Sequence, residues 1–397
     1  MHVTKVLTVG IAAAVTAALG LASPVAAAPA EAALAAVTGE TVPGSYIVVF
    51  KDGTGSVATL AAAVTSQHSA GVRRTYAAAL RGAAITATEQ QARRIAADSR
   101  VAYVQPNTVF RASATQSPTP SYGLDRIDQR ALPLTNSYTY STTASNVHAY
   151  IIDTGIRFSH ADLGGRATSG FDAIDGGSAD DCNGHGTHVA GTVGGSAHGV
   201  AKGVQLVGVR VLDCEGSGTT EQVVAGIDWV TANAVKPAVA NMSLGGGADA
   251  VLDAAVRASI ASGVTYGIAA GNGFLGLFAL DACTQSPARV AEAITVSVTN
   301  NTDTKASWGN RGTCVDVFAP GINIVSSWNT SDTATNTISG TSMSTPHVVG
   351  AAALYLANNT GASPAAVQAA IISNATTGVV KSPGSGSPNR LLYTGNF

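Results

Sequence analysis

Three short segments carry side chains that could together perform nucleophilic catalysis. The first ends in Asp153, which follows the apolar pair Ile151-Ile152; the second places His185 between two glycines; the third is Gly340-Thr-Ser-Met-Ser-Thr-Pro, which contains Ser342. A serine hydroxyl is a weak nucleophile that needs a neighbouring base, and an imidazole with a pKa near about 6.5 can take and return its proton. A carboxylate can hold that imidazole in one tautomer. The three residue types could therefore transfer an acyl group through the serine.

Each segment also has a simpler interpretation. Asp153 could be a turn or helix-capping aspartate, and Ser342 could cap the helix predicted over residues 348–358. His185 and His188 have the spacing of a metal-binding pair, but with no matching third His or Glu motif they make a poor zinc site. Each segment is a weak signal alone, so the prediction of catalysis depends on their occurring together.

The elements that must position these residues are predicted from residue 122 onward, where short apolar runs alternate with helical stretches. The predicted strands are 148–153, 204–211, 239–244, 264–270 and 294–298, and the predicted helices are 187–194, 219–234 and 248–262. This alternation predicts an α/β fold with a mostly parallel sheet covered by helices on both faces. Functional side chains collect beyond the carboxyl ends of parallel strands, and Asp153 lies at such an end.

The residues before this region divide into three parts. Residues 1–28 contain Lys5, an apolar stretch and a run of small residues, which predicts a signal peptide for secretion rather than a membrane anchor. Residues 41–111 have the pattern strand, helix, strands, helix, strand, which predicts a small ferredoxin-like α+β domain. Residues 112–121 lack hydrophobic periodicity and are predicted to be a linker.

Composition excludes several classes of protein. The chain has 22 Lys+Arg against 24 Asp+Glu, with 12% charged and 46% hydrophobic residues. This balance argues against a disordered chain and against nucleic-acid binding. No segment after the signal peptide is apolar enough to span a membrane. In an exported chain the four cysteines predict disulfides; three pairings are possible, and the spacing favours nearest neighbours among Cys182, Cys214, Cys283 and Cys314.

The motifs Asp153-Thr-Gly, His185-Gly-Thr-His and Gly340-Thr-Ser-Met-Ser-Thr-Pro, in this order, resemble the subtilisin-like serine proteases. Further segments resemble the proteinase K branch and its aqualysin-type secreted members, namely 123–129, 210–214, 240–246, 286–290 and 384–393. The resemblance spans nearly the whole chain. It implies a subtilisin-like peptidase domain over 114–397, preceded by a propeptide that acts as intramolecular chaperone and inhibitor and is removed by autocleavage near Ser113-Ala114.

The resemblance also implies roles for individual residues. Ser342, His185 and Asp153 would form the catalytic triad, and the side-chain amide of Asn272 would stabilise the oxyanion together with the Ser342 backbone N–H. Extended polypeptide substrates would bind along two segments and a specificity pocket formed by Gly216, Ser217, Gly218, Ser243, Leu244, Gly245, Ala269, Ala270 and Gly271. These residues are small and carry no carboxylate, so an apolar or aromatic side chain is expected before the scissile bond.

Structural calcium is implied in the same way. Asp125, Asp128 and Gln129 match an aqualysin-type site, and Asp316 matches a proteinase K-type site. Oxygen ligands of this kind suit a hard cation, although the same side chains could simply be solvated at the surface.

The apolar segment 273–280 departs from the family pattern, because it is longer and more apolar than the corresponding segment of relatives. It could reshape the specificity pocket, cover it, or form an exposed apolar patch.

Two other classes of function compete with a secreted, monomeric serine endopeptidase. One is a non-catalytic binding protein on the same fold, which the intact triad argues against. The other is an α/β-hydrolase, which lacks support because Ser344 replaces the final glycine of Gly-x-Ser-x-Gly.

Overall fold

The computed structural model describes residues 30–37, 41–53, 55–109 and 113–397. The chain divides into two compact units between Phe110 and Arg111. The predicted signal peptide, residues 1–28, lies outside the described residues. In the described part of the chain, no helix has the length and apolar character needed to cross a membrane.

The first unit is a four-stranded antiparallel sheet with two helices. In chain order its elements are β1 (Thr41–Phe50), α1 (Val57–Gln67), β2 (Gly71–Tyr76), β3 (Gly82–Thr86), α2 (Glu89–Ala96) and β4 (Val101–Thr108). The strand order is β2-β3-β1-β4, and the sheet and helices share one apolar core. Thr88 and Gln91 begin α2 with a capping box, in which each side chain accepts from the other's backbone N–H. The predicted α+β domain is confirmed.

The second unit alternates strands and helices along most of its length. Its strands are β5 (Ala114–Gln116), β6 (Tyr138–Tyr140), β7 (His148–Asp153), β8 (Ala167–Asp172), β9 (Gln205–Arg210), β10 (Ala238–Met242), β11 (Gly246–Gly247), β12 (Thr265–Ala269), β13 (Gln285–Ser286), β14 (Ile294–Thr299), β15 (Val317–Pro320), β16 (Ile324–Ser327), β17 (Thr335–Ile338), β18 (Thr376–Thr377) and β19 (Arg390–Leu391). Its helices are α3 (Tyr122–Ile127), α4 (His185–Gly194), α5 (Thr220–Asn233), α6 (Ala250–Ala261), α7 (Thr341–Asn358) and α8 (Pro364–Asn374). Every strand predicted for this second unit is present, with ends displaced by no more than a residue or two.

Nine of these strands form one sheet, in the order β18-β19-β15-β14-β12-β10-β7-β9-β8. Every pairing is parallel except that of β18 with β19. Successive side chains of a strand point to opposite faces. In β7, Ala149 and Ile151 pack in the core that contains α4 and α7, whereas Tyr150 and Ile152 pack in the core that contains α5 and α6. Helices therefore cover both faces, and the predicted α/β fold is confirmed.

The helix α7 begins at Thr341, earlier than the predicted start at residue 348, and it contains Pro346. A proline inside a helix cannot donate to the carbonyl four residues before it, which here belongs to Ser342. The hydroxyl of Ser243 donates to this carbonyl instead, at 2.8 Å. A segment that resembles a loop in sequence thus forms the first turns of a buried helix, with Ser342 in its first turn.

Candidate active site

The carboxyl end of β7 and the start of α4 bring Asp153 and His185 together. Gly184 has a φ of 112°, a left-handed conformation that favours glycine, and it turns the chain into α4. The Nδ1 atom of His185 donates to Oδ1 of Asp153 at 2.7 Å. The Asp153 side chain is fully buried, while that of His185 is 25% exposed. Because Nδ1 donates to the carboxylate, Nε2 of the neutral ring is left as an acceptor.

The charge state of His185 depends on two carboxylates. Burial disfavours the protonated imidazole, but the Asp153 carboxylate, through its charge and its hydrogen bond, and then the charge of Asp181 raise the pKa of His185 above its usual value. A protonated His185 is therefore stabilised in this site. This is the property required of a base that must hold a proton while a bond is broken.

Asp181 is a residue that sequence reasoning missed, and it organises the approach to His185. Its Oδ1 accepts from the backbone N–H groups of Asn183 and Gly184, at 2.9 and 2.8 Å, and from the hydroxyl of Thr154 at 2.9 Å. Its Oδ2 accepts from the N–H and hydroxyl of Thr187, at 2.9 and 2.5 Å. One carboxylate thus joins the residue after Asp153 to the first turn of α4. In sequence it is only one of two adjacent aspartates in a loop.

Ser342 lies in the first turn of α7 and is tied to Ser243, which follows β10. Its hydroxyl donates to the Ser243 carbonyl at 3.1 Å, and the Ser243 hydroxyl donates to the Ser342 carbonyl at 2.8 Å. The backbone N–H of Ser342 has no backbone acceptor among the described residues. N–H groups in the first turn of a helix lack partners within the helix and lie at the positive end of its dipole. They can therefore stabilise a negative oxygen.

The Asn272 side chain is fixed by the start of the same helix. Its Oδ1 accepts from the backbone N–H and the hydroxyl of Thr341, both at 2.9 Å. Because a backbone N–H can only donate, the oxygen of the amide must face Thr341. The Nδ2 group therefore points away from Thr341 as a free donor. Thr341, which was not predicted as a site residue, sets this orientation.

Two adjoining cavities hold the residues predicted to bind substrate. The larger, of about 660 Å³, is lined by His185, by Gly216, Ser217 and Gly218, and by Ser243, Leu244 and Gly245. The smaller, of about 300 Å³, shares Ser243, Leu244 and Gly245 and adds Ala269, Ala270, Gly271, Asn272 and Ser342. Among the described residues, no charged side chain lines the smaller cavity. The structure therefore places His185, Ser342, Asn272 and the predicted substrate segments along two cavities that share Ser243, Leu244 and Gly245, while Asp153 is buried behind His185.

Two disulfides hold loops that border this cleft. Cys182 pairs with Cys214, next to Asp181 on one side and the segment 216–218 on the other. Cys283 pairs with Cys314, just after the apolar segment 273–280. These are the nearest-neighbour pairs that the spacing favoured.

His188, the alternative metal partner of His185, is fully buried with its Nε2 atom 3.0 Å from the Ile324 carbonyl, so its role is structural.

The predicted calcium residues lie in and just after α3, where Asp125 is buried and Asp128 and Gln129 are half-buried. Asp125 accepts from the backbone N–H groups of Thr135 and Asn136, at 3.0 and 2.6 Å, and Asp128 accepts from Thr139 N–H at 2.7 Å. Oδ1 of Asp128 and Oε1 of Gln129 are buried and have no hydrogen-bond partner in the part of the chain that the structure describes. Unpartnered buried oxygens are costly, and a hard cation would satisfy them. The residues present therefore fit calcium.

Asp316 is a weaker candidate. Its Oδ2 accepts from Thr295 N–H at 2.8 Å, and burial raises the pKa of Asp316 to about 6. Across the residues that the structure describes, no three or more His, Cys, Asp or Glu side chains are grouped so that they could hold a metal ion. A cation at either place would therefore need backbone carbonyls or water to complete its shell.

Comparison with known proteins agrees with this geometry. The model of the subtilase family matches residues 145–391, and that of the peptidase inhibitor I9 family matches residues 45–113. The chain is 53% identical to the extracellular serine proteinase of Thermus sp. (strain Rt41A), over 89% of this chain and 90% of that protein. It is 44% identical to the cuticle-degrading serine protease of Arthrobotrys oligospora, over 74% of this chain and 73% of that one.

A solved structure leads to the same assignment. The crystal structure of a cold adapted subtilisin-like serine proteinase aligns with a TM-score of 0.67 and 51% identity, covering 70% of this chain and 99% of the other. The resemblance inferred from the three motifs is confirmed. The chain belongs to the subtilase family and is a subtilisin-like serine endopeptidase that carries an N-terminal unit of the peptidase inhibitor I9 family.

Proposed function

We propose that Ser342, His185 and Asp153 are the catalytic triad of a secreted endopeptidase made as a self-processing precursor. The observation that carries this proposal is the 2.7 Å hydrogen bond from His185 Nδ1 to the buried Asp153 carboxylate, at the edge of a cleft that also contains Ser342. That bond leaves Nε2 free to act as a base. Secretion is supported by the extracellular relative and by the signal-like residues 1–28.

In the proposed reaction, Oγ of Ser342 attacks the carbonyl carbon of the scissile peptide bond while His185 Nε2 takes the hydroxyl proton. The Ser342 hydroxyl first leaves the Ser243 carbonyl, to which it donates in the free enzyme. His185 then gives its proton to the departing amine, and an acyl-enzyme remains on Ser342. Water, deprotonated by the same imidazole, hydrolyses that ester and restores the serine.

The negative oxygen of the tetrahedral intermediate is stabilised by two fixed donors. One is the Nδ2 group of Asn272, which Thr341 orients through the amide oxygen. The other is the N–H of Ser342 in the first turn of α7. Both donors are in place before the reaction, so no reorganisation is needed as charge develops.

The smaller cavity is proposed to hold the side chain that precedes the scissile bond. The described residues of its wall are uncharged and mostly Gly, Ala and Ser, and its volume of about 300 Å³ accommodates a large apolar or aromatic side chain. The segments 216–218 and 243–245 would bind the extended substrate backbone, which gives affinity with little demand on sequence. We therefore expect broad endopeptidase activity with an apolar or aromatic preference at this position.

The domain boundaries follow from the same proposal. Residues 41–111 would fold as chaperone and inhibitor of the peptidase, in line with the inhibitor-family match, and cleavage near Ser113-Ala114 would release residues 114–397. The mature enzyme would act as a monomer, because one chain supplies every proposed catalytic residue. Calcium held near Asp128 and Gln129 would neutralise the Asp128 carboxylate and stabilise the loop that follows α3.

The experiment is the intact mass of the secreted chain, wild type beside Ser342→Ala. A wild type that begins near Ala114 and a variant that retains residues 41–113 are expected. Identical trimming of both chains would mean that another protease cuts the precursor, and the proposal of self-processing would be wrong.

A further inference from the structure

The segment 273–280 forms a small hairpin whose large apolar side chains project into solvent. Phe274, Leu275, Leu277 and Phe278 are 60%, 78%, 62% and 69% exposed. The remaining exposed large apolar side chains of the described residues are scattered singly along the chain. A contiguous exposed apolar patch commonly marks a binding surface. We name these four residues the apolar hairpin tip.

The conformation of the hairpin is fixed by its own backbone. Phe274 N–H donates to the Phe278 carbonyl at 2.8 Å, and Leu277 N–H donates to the Phe274 carbonyl at 3.0 Å. Leu275 and Gly276 turn the chain with φ of 51° and 68°. At Gly273, a Cβ would lie 2.1 Å from the Phe278 carbonyl oxygen, so only glycine fits. The tip is thus presented by a defined turn, which lowers the conformational entropy lost on binding.

The base of the hairpin is joined to the specificity cavity. Gly273 lines that cavity beside Asn272. Asn310 connects the two structures, because its Nδ2 donates to the Ala270 carbonyl at 2.7 Å and its Oδ1 accepts from Leu280 N–H at 2.8 Å. The four tip residues line neither cavity of the cleft. The tip is therefore an additional surface, continuous with the cleft but outside it.

The chemistry of the tip favours one occupant. A second copy of the chain is disfavoured, since four side chains fall well short of the roughly 800 Å² per partner that a stable interface buries. A lipid surface is disfavoured because interfacial segments carry Lys or Arg, whereas residues 273–280 carry no charge and Asp281 follows them. An unfolded polypeptide is favoured, because the hairpin begins at Gly273 in the wall of the smaller cavity, so a chain bound in the cleft can extend from there toward the tip.

We propose that the apolar hairpin tip is an accessory substrate-binding surface that holds large apolar side chains of an unfolded polypeptide outside the two cavities. This inference rests on the proposed endopeptidase function. It makes the tip a determinant of which proteins are cleaved efficiently, separate from the pocket that selects the residue before the scissile bond. Short substrates that fill only the cavities would not contact it.

The test compares the wild type with a hairpin variant that combines Phe274→Ser, Leu275→Asn, Leu277→Ser and Phe278→Ser. Gly273 and Gly276 are retained, and asparagine tolerates the positive φ of Leu275. The matched control is Val235→Thr, which removes a single exposed apolar side chain before β10, away from the carboxyl ends of the strands. If the combined variant fails to fold, Leu275→Asn alone changes the most exposed of the four side chains.

Three substrates separate binding at the apolar hairpin tip from binding in the two cavities. One is a tetrapeptide p-nitroanilide with an aromatic residue before the leaving group. The others are two long peptides with the same scissile site, one flanked by Leu and Phe and the other by Ser. The wild type and the control should bind the Leu/Phe peptide with a KM about tenfold lower than the Ser peptide, which corresponds to removing about 55 Å² of apolar surface from water. The hairpin variant should lose that difference and keep its activity on the tetrapeptide.

Every other outcome overturns the proposal. An unchanged preference in the variant would exclude a substrate-binding role, and an equal loss on all three substrates would make the hairpin a support for Asn272 instead. Flotation of Ser342→Ala with phosphatidylcholine vesicles, abolished in the hairpin variant, would identify a lipid surface as the occupant. A dimer in sedimentation velocity that the variant lacks would identify a second copy. Failure of the wild type to cleave the tetrapeptide would contradict the proposed endopeptidase function itself, which separates the two failures.

Discussion

Asp181 offers a sharp test of how the site is organised, through the substitution Asp181→Asn. The amide can keep its oxygen toward Asn183, Gly184 and Thr154, but its NH₂ group then faces the N–H of Thr187, which can only donate. The Thr187 N–H loses its charged acceptor, at a cost of about 1.5–3 kcal/mol. The Thr187 hydroxyl can still pair with the amide, but by accepting from a neutral donor. The disulfide beside Asp181 still holds the loop, so we expect the free energy of unfolding to fall by about 3 kcal/mol.

The catalytic consequence has two parts. Loss of the Thr187 N–H bond would loosen the first turn of α4, which carries His185. A displacement on the order of 1 Å in a catalytic group costs about 100-fold in rate, so kcat should fall by about that factor with KM little changed. The charge of Asp181 also raises the pKa of His185. His185 must be neutral to act as a base. Removing the charge of Asp181 lowers the pKa of His185 and should therefore move the acidic limb of the pH profile of kcat/KM toward lower pH.

The assay is the hydrolysis of a short chromogenic peptide across the acidic range, with Asp180→Asn as the matched control. Asp180 is the exposed neighbour, and it makes no side-chain hydrogen bond among the described residues, so the same change of charge there should leave both kcat and the acidic limb unchanged. An acidic limb of Asp181→Asn that stays in place or moves to higher pH would refute the electrostatic role. A kcat within threefold of the wild type would refute the positioning role.

Three further changes address the oxyanion donor, the cation and the core. Asn272→Asp keeps the acceptor for Thr341 but removes the side-chain donor to the oxyanion. The value of kcat should fall by about 100- to 1,000-fold with KM nearly constant, which is the range known for one such donor in subtilisin. A fall of less than tenfold in steady-state kinetics would contradict the assignment. EDTA should lower the Tm of Ser342→Ala, and adding the substitution Asp128→Asn to that variant should abolish the effect. An equal fall of Tm in the single and the double variant would place the cation elsewhere. Asp303→Asn leaves the buried guanidinium of Arg126 without its carboxylate and should cost about 3–5 kcal/mol in urea unfolding. The control Asp332→Asn breaks an exposed pair and should cost far less than Asp303→Asn, so similar losses in the two would refute the burial argument.

Most of the central sheet could be predicted from the sequence, because its strands are buried on both faces and therefore appear as short apolar runs. The strand His148–Asp153 was predicted with its observed ends. The start of α7 could not be predicted, because Pro346 normally ends a helix and the hydrogen bond that compensates for it comes from Ser243, a residue distant in sequence. Local propensity carries no information about such a partner.

The candidate site shows the same division. Asp153, His185 and Ser342 could be predicted because their motifs are short and contiguous. The roles of Asp181 and Thr341 could not, since each depends on hydrogen bonds between segments that meet only in the fold. The effect of residues 273–280 was also undecided in the sequence, where their apolar composition is compatible with a cover for the pocket. The positive φ at Leu275 and Gly276 instead turns the segment away as an exposed hairpin.

The identity of the nucleophile is the central claim, and covalent labelling with an arylsulfonyl fluoride tests it most directly. The mature wild type should acquire one adduct per chain, located on Ser342 by peptide mass spectrometry, and lose peptide hydrolysis in proportion. His185→Ala should remain unlabelled, because its serine lacks the base. An adduct on Ser243 or any other residue, or full activity in a chain without label, would contradict the account.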